Sequence, residues 1–339
     1  MKTQPMPSMA SASEPQKLVR DCIICESKRF TEVFDYTYDF LRDVRGNKEA
    51  RLQFKWRWSP GVTSTIVRCN DCGCHYVRDV VLLSPEYHAV PAVYAIADDE
   101  VGGDAAAARK LAMYGHFDFQ NSLIRNLVLM AVSRKGPQVK FLDFGAGFAE
   151  MGNMARVAGM TDVVAYDPYW PESIAHDLNK RNMPGIRYVR ARDQLRQHGP
   201  FDVAVFQSAI EHVLDPRAEL TSIFEVLAPG GHLYVNNPVM DLRRELPQLR
   251  SASKIEKRHR ISHYHPGHVN YMMPKDFARL LREIGFEITP YAFYPPLPLV
   301  PGLIRQALVN HAKTALRTLQ NVLNLPYPRH VYVVRKPTP

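Results

Sequence analysis

Cysteine, histidine and carboxylate residues fall in this chain at spacings that could do chemistry. Cys22-Ile-Ile-Cys25 and Cys69-Asn-Asp-Cys72 are two Cys-x2-Cys pairs, each able to present two thiolates to one tetrahedral zinc ion. Four thiolates would fill zinc's coordination shell and leave no position for water, so a centre of this kind is expected to be structural. Cys74 and His75 follow the second pair directly and are substitutes for a ligand; the preference for Cys72 rests on spacing alone. The competing reading, disulfides or unrelated buried thiols, suits a secreted chain. Glu211-His212 places an imidazole, whose ordinary pKa of about 6.5 lies near neutrality, beside a carboxylate. Such a pair can act as a general base with its orienting partner, and a structural role for the histidine is the alternative. His259, His263, His265 and His268 form a third group, but no carboxylate lies among them and Pro266-Gly267 breaks helical pairing. We therefore expect no metal there, and read His268 and Tyr271 as candidates for substrate contact.

These groups need elements to position them. Val139 to Phe144 reads as a buried strand, and Glu150 onward has helical spacing at Met151, Met154, Ala155 and Ala158. Between them stands Asp143-Phe144-Gly145-Ala146-Gly147, a glycine turn of the kind that lets a ligand approach backbone N–H groups and a helix N-terminus. Asp167 closes the next apolar strand, 20 residues after Gly147, the offset at which a carboxylate accepts hydrogen bonds from ribose hydroxyls. Nicotinamide and flavin sites share such turns. A dinucleotide fingerprint, however, would place a third glycine at position 150, where Glu150 stands.

An aspartate two residues before the first glycine resembles the first motif of class I S-adenosylmethionine-dependent methyltransferases. The resemblance continues in order through Phe201 to Phe206, Glu211-His212-Val213-Leu214-Asp215-Pro216, Leu227-Ala228-Pro229-Gly230-Gly231 before a strand at His232 to Asn236, and Leu280 to Glu287. It ends on the strand Val331 to Val334. It implies a doubly wound α/β fold with a seven-stranded sheet and S-adenosylmethionine at Asp143, Gly145, Ala146, Gly147, Asp167, Pro168 and Gln207, with Ser208 beside them. A Cys-x2-Cys, a distant Cys-x2-Cys-Gly and then this core is the layout of bacterial sugar C-methyltransferases and related polysaccharide or natural-product enzymes. That resemblance implies His212 as base, Glu211 beside it, and an N-terminal zinc module that helps to cover a substrate. The chain departs from it in being short after the core, without room for a further α/β domain.

The expected organisation is a disordered tail over residues 1–18, a zinc-binding module over 19–90, a helical linker or lid over 91–136 and a methyltransferase domain over 137–339. Strand-like alternation around Phe54 to Trp58 suggests a small sheet between the knuckles. Tyr114, His116 and Phe117 fall in the linker as closing residues or as core contacts of a packed helix. A helical stretch at 302–324 interrupts the hairpin between the last two strands, for packing or for a peripheral membrane contact. No run approaches the roughly 20 apolar residues of a membrane span, and the first 18 residues lack a signal peptide's apolar core. A cytoplasmic enzyme is the expectation. The net charge is +9, and residues 241–260 hold seven basic against three acidic side chains. This suits an anionic small-molecule acceptor such as a nucleotide-linked sugar. It also leaves open a zinc-module RNA methyltransferase, although aromatics are not interleaved with the basic run. A third alternative is a non-catalytic cofactor-binding interaction module, which the intact Asp143, Gly145, Gly147 and Asp167 oppose.

Overall fold

Short apolar runs rich in Val, Phe and Tyr form parallel strands here because both faces of the sheet are covered, which removes any need for polar alternation. The computed structural model describes residues 17–37, 62–81, 119–170, 178–179, 182–237, 267–289 and 330–339. Its main sheet contains β6 (Lys140–Phe144), β7 (Asp162–Tyr166), β8 (Ile186–Val189), β9 (Phe201–Phe206), β10 (Leu227–Asn237), β12 (Glu287–Ile288) and β13 (His330–Arg335). The seven strands lie in the order β12-β13-β10-β9-β6-β7-β8. The five from β6 to β10 run parallel, while β13 is antiparallel to both β10 and β12. This is the doubly wound sheet expected from the motif order.

Strand order reverses between β6 and β9, so the loops that leave their carboxyl ends flank a crevice. Two buried apolar clusters carry the sheet, one containing Leu142, Val164, Phe206 and Leu233 and the other Phe141, Val163, Val205 and Tyr234. Neighbouring residues of one strand thus feed opposite layers, as the period-2 geometry of a strand requires.

Five helices are described: α1 (Phe119–Lys135), α2 (Glu150–Val157), α3 (Arg192–His198), α4 (Pro216–Val226) and α5 (Pro274–Ile284). Asp215 caps α4 by accepting from the Ala218 N–H at 2.9 Å, with Pro216 in the first turn, where a missing N–H costs nothing. Pro274 opens α5, and Gly285 at φ 110° ends it. The strand expected at His232 to Asn236 begins earlier, at Leu227, with a register shift relative to β9 before His232. Gly231 permits that irregularity, because a Cβ there would lie 2.8 Å from the Ala228 carbonyl oxygen and 2.9 Å from that of Phe201.

At the N-terminal end, β2 (Phe30–Thr37), β3 (Thr63–Cys69) and β4 (His75–Val77) form an antiparallel sheet, while β1 (Lys17–Val19) pairs with β5 (Asp79–Val81). Lys17 and Leu18, placed in the expected tail, therefore belong to a strand. The fourth strand of the small sheet comes from far away: β11 (Asn270–Tyr271) pairs with β4, Asn270 opposite Tyr76 and Tyr271 opposite His75. The N-terminal sheet thus takes in a segment that follows the whole parallel half of the main sheet. The residues expected between the knuckles at Phe54 to Trp58, the linker residues Tyr114, His116 and Phe117, the basic stretch 241–260, His259, His263 and His265, and the helix at 302–324 all lie outside the described residues. No described helix is long and apolar enough to cross a membrane.

Candidate active site and cysteine centre

The glycine turn after β6 is held by its own chain. Gly145 and Ala146 donate their N–H groups to the Tyr166 carbonyl at 2.8 and 2.9 Å, and Gly147 donates to Asp167 Oδ2 at 3.1 Å. All three N–H groups thus bond to the end of β7, which fixes the turn against the neighbouring strand. Gly145, at φ 68°, is needed for closeness, since a Cβ there would come within 3.0 Å of Ala209 Cβ and 3.4 Å of the Phe206 ring. The loops after β6 and β9 touch at this point, so the crevice between them is narrow.

Asp143 is fully buried and accepts from the Gly152 N–H at 3.0 Å, which ties the strand end to the first turn of α2. Burial pushes its carboxyl up to about 8, against the pull of that hydrogen bond. Asp167 accepts from Gly147 and, through Oδ1, from the Tyr169 N–H at 3.0 Å; its pKa too is raised by burial. A carboxylate offers about four lone-pair directions, so Asp167 keeps acceptor capacity for ribose hydroxyls. Pro168 is exposed beside it. Gln207 Oε1, just past the end of β9, is buried and lacks a hydrogen-bond partner. An orphaned acceptor at the crevice fits a ligand that brings donors, such as an amino group. The residue set thus fits S-adenosylmethionine, which carries no phosphate to occupy the N–H groups that the turn keeps for itself.

Ser208 sits at φ 49°, a left-handed conformation uncommon for a residue with a side chain. Asn236, buried at the end of β10, accepts from the Ser208 N–H at 2.6 Å and holds that backbone in place. Sequence reasoning missed Asn236, although a polar residue ending a buried apolar strand is a readable signal.

Beyond Ser208 the chain turns, with the His212 N–H donating to the Ala209 carbonyl at 3.0 Å. Glu211 points inward and is 2% exposed, and its Oε2 has no hydrogen-bond partner. Burial pushes its carboxyl up to about 8. His212 lies outside it with a side-chain exposure of 36% and Nε2 3.9 Å from Glu211 Oε1. Its Nδ1 is 2.9 Å from the Gly267 carbonyl, which only accepts, so Nδ1 is the donor in this contact. His268 stacks edge-on against His212 at 4.6 Å. Glu211, His212 and His268 therefore meet although 56 residues separate the first and last in sequence, with ligand atoms all within 4.8 Å of one another. Tyr271 lies in β11 of the small sheet and is 1% exposed.

The four cysteines also converge. Cys22 Sγ lies 3.5 Å from Cys72 Sγ, and Cys25 Sγ 3.6 Å from Cys69 Sγ, with all four sulfurs within 4.8 Å. Zn–S bonds of about 2.3 Å at tetrahedral angles would place sulfurs about 3.8 Å apart, so the donor set fits zinc. None of these cysteines is in a disulfide. Cys74 lies alongside, fully buried, with its thiol 3.6 Å from the His75 carbonyl oxygen. A hydrogen bond from Cys74 holds the Cys22 thiol down at about 4, while burial raises Cys25 and Cys72.

Comparison with known proteins places these features. The methyltransferase-domain family matches residues 114–291. A ubiquinone biosynthesis O-methyltransferase of Aromatoleum aromaticum is 25% identical over 186 residues, covering 52% of this chain and 78% of the relative. A second, from Cupriavidus pinatubonensis, is 27% identical over 119 residues, covering 34% and 47%. Among solved structures, the magnesium protoporphyrin IX methyltransferase of Synechocystis PCC 6803 with bound S-adenosylhomocysteine is 14% identical, with a TM-score of 0.38, over 67% of this chain and 86% of that one. The family match spans more than half of the chain and takes in the glycine turn, Asp167, Glu211-His212 and α5, so this chain belongs to the methyltransferase-domain family and is an S-adenosylmethionine-dependent methyltransferase.

Proposed function

We propose that the protein methylates a hydroxyl oxygen of a small-molecule acceptor, with His212 as the group that takes the hydroxyl proton. One observation carries this reading: an exposed imidazole oriented by its Nδ1 contact with the Gly267 carbonyl, with Nε2 3.9 Å from Glu211. S-adenosylmethionine would be held at Asp143, Gly145, Ala146, Gly147, Asp167, Pro168 and Gln207 and would supply an activated methyl carbon. The protein must then orient the acceptor and accept its proton. As the C–O bond forms and the C–S bond breaks, the proton passes to His212 Nε2. A positive imidazolium 3.9 Å from Glu211 favours the carboxylate form of that buried acid, which in turn stabilises the imidazolium. His268, packed on His212, borders the acceptor.

The O-methyltransferase relatives support oxygen as the nucleophile. The acceptor class that best joins this site to the sequence is a hydroxylated molecule bearing phosphate, such as a nucleotide-linked sugar, because the basic stretch 241–260 precedes the His268 segment. We assign zinc to Cys22, Cys25, Cys69 and Cys72 as a structural ion, on the convergence of their sulfurs. The chain is read as acting in the cytoplasm.

Labelled S-adenosylmethionine offered with nucleotide-sugars, catechols and RNA tests the reading. Label is expected on a small-molecule oxygen, and His212→Ala is expected to lower kcat by about 10²–10⁴-fold with cofactor affinity retained. Label on RNA alone, on a sugar carbon alone, or an unimpaired His212→Ala variant would overturn it.

A further inference from the structure

Arg20 lies in the N-terminal module, yet its guanidinium ends among the carbonyls that shape the acceptor corner. The side chain is only 8% exposed. Nε and Nη2 donate to the Val77 carbonyl at 3.1 and 2.6 Å, and Nη2 donates also to Val269 at 2.7 Å. Nη1 donates to the Leu214 carbonyl at 2.9 Å and to Asn270 Oδ1 at 3.0 Å. Five hydrogen bonds use the five N–H donors that arginine has. They join β4 of the module, β11, and the loop that carries Glu211 and His212.

Asn270 completes the arrangement from the other side. Its Oδ1 is held by Arg20, which fixes the amide orientation and sends Nδ2 to the carbonyls of Ile210 and Val213, each at 2.7 Å. The Glu211 carbonyl meanwhile accepts from the Val269 and Asn270 N–H groups at 2.8 and 3.2 Å. The carbonyls of Ile210, Glu211, Val213 and Leu214 are thus each claimed by Asn270, Arg20 or the Val269 N–H. Just beyond the loop, in the first turn of α4, Arg217 donates to the carbonyl of Ile24, inside the first cysteine knuckle, at 2.8 Å.

We propose that Arg20 and Asn270 are positioning residues for methyl transfer. They clamp the 210–214 loop so that His212 meets Gly267, Glu211 and His268, and through them the N-terminal module becomes a working part of the acceptor corner. The consequence for catalysis rests on the role assigned to His212; the clamp itself does not. Lysine at position 20 would keep the charge but offer three donors without the planar fork. Asn270→Asp would keep the acceptor for Arg20 and lose both donations to the loop.

The test uses the full chain labelled with ¹⁵N-histidine, its His212 signals assigned by their loss in His212→Gln. Arg20→Lys and, as a second variant with the opposite partner changed, Asn270→Asp are each expected to lose the protected His212 Nδ1–H signal and to shift the pH midpoint of the ring. S-adenosylmethionine affinity should stay within about twofold, and kcat on the acceptor should fall on the order of 10- to 100-fold, as misplaced catalytic groups do. Arg29→Gln is the control, since Arg29 pairs with Asp71 on the exposed face of the same module. It should leave the His212 signals unchanged. An unaltered His212 signal and midpoint in both clamp variants would overturn the proposal, as would equal disruption by Arg29→Gln, which would mean general loosening of the module. Disrupted His212 signals in a protein that methylates no hydroxyl would leave the clamp standing and remove the hydroxyl reading.

Discussion

The main sheet and the N-terminal module share one buried apolar cluster but build their parts of it from different materials. The main sheet is sealed by apolar layers: Phe141, Leu142, Val163, Val164, Val203 and Leu233 are all at most 1% exposed. The module is small, and its interior includes polar and sulfur atoms: the converging cysteine sulfurs and the Arg20 guanidinium, with Cys22, Cys69 and Cys74 each at most 2% exposed. A small sheet cannot bury enough apolar area alone, and a metal or a polar network makes up the difference. The comparison teaches where the two regions should fail. The main sheet should tolerate loss of one polar contact, whereas the module should not.

The largest expected effect is at the cysteines. Structural zinc sites contribute about 10–16 kcal/mol to folding, so if the proposed zinc is bound, Cys69→Ser should lose it and unfold the module. Metal content of parent and variant by mass spectrometry, together with near-ultraviolet circular dichroism, reads this; a metal-free parent and a variant with unchanged spectra would mean the sulfurs are ordinary buried thiols. Next comes Asp167→Ala, in the main sheet, which should weaken S-adenosylmethionine binding on the order of tenfold or more by removing a charged acceptor. Calorimetry showing unchanged affinity would place the ribose elsewhere.

The smallest effect sharpens the boundary between the regions. Burial raises Glu211 to about 8 from an ordinary 4.5, so the folded state holds the proton more tightly than the unfolded one. This contribution to stability is fully present below about pH 4.5 and is lost as pH rises through about 8. Glu211→Gln, neutral at every pH, should therefore gain stability over the parent as pH rises, by on the order of 2 kcal/mol near pH 8. Parallel melting curves of the two proteins from pH 5 to 8 would refute the raised value.

Legibility followed the same division. The strands at 163–166 and 201–206 and the helix Pro274–Ile284 are where hydrophobic runs, an N-terminal proline and a C-terminal glycine put them. Asp143, the glycines and Asp167 are gathered because they end adjacent parallel strands, and their order along the chain already implies that neighbourhood. Glu211 and His212 are adjacent in sequence and could be paired on sight. His268 could be nominated but not joined to them, because the contact depends on β11 entering another sheet. Arg20 gave no signal: an arginine before a cysteine knuckle reads as a surface charge until the fold encloses it. Tyr271, in the same segment, is buried in β11, a burial that follows from β11 joining the distant small sheet.

The sequence by itself located the strands and helices along the chain, since these depend on local periodicity, and its ordered motifs carried the resemblance to S-adenosylmethionine-dependent methyltransferases. The tertiary structure alone decided that the turn's N–H groups bond to the end of β7, that four sulfurs and the Glu211–His212–His268 corner each converge, and that Arg20 reaches the loop bearing that corner. These depend on long-range strand pairing and on burial, which turn distant residues into neighbours and change what a charged or polar group must do to be stable there.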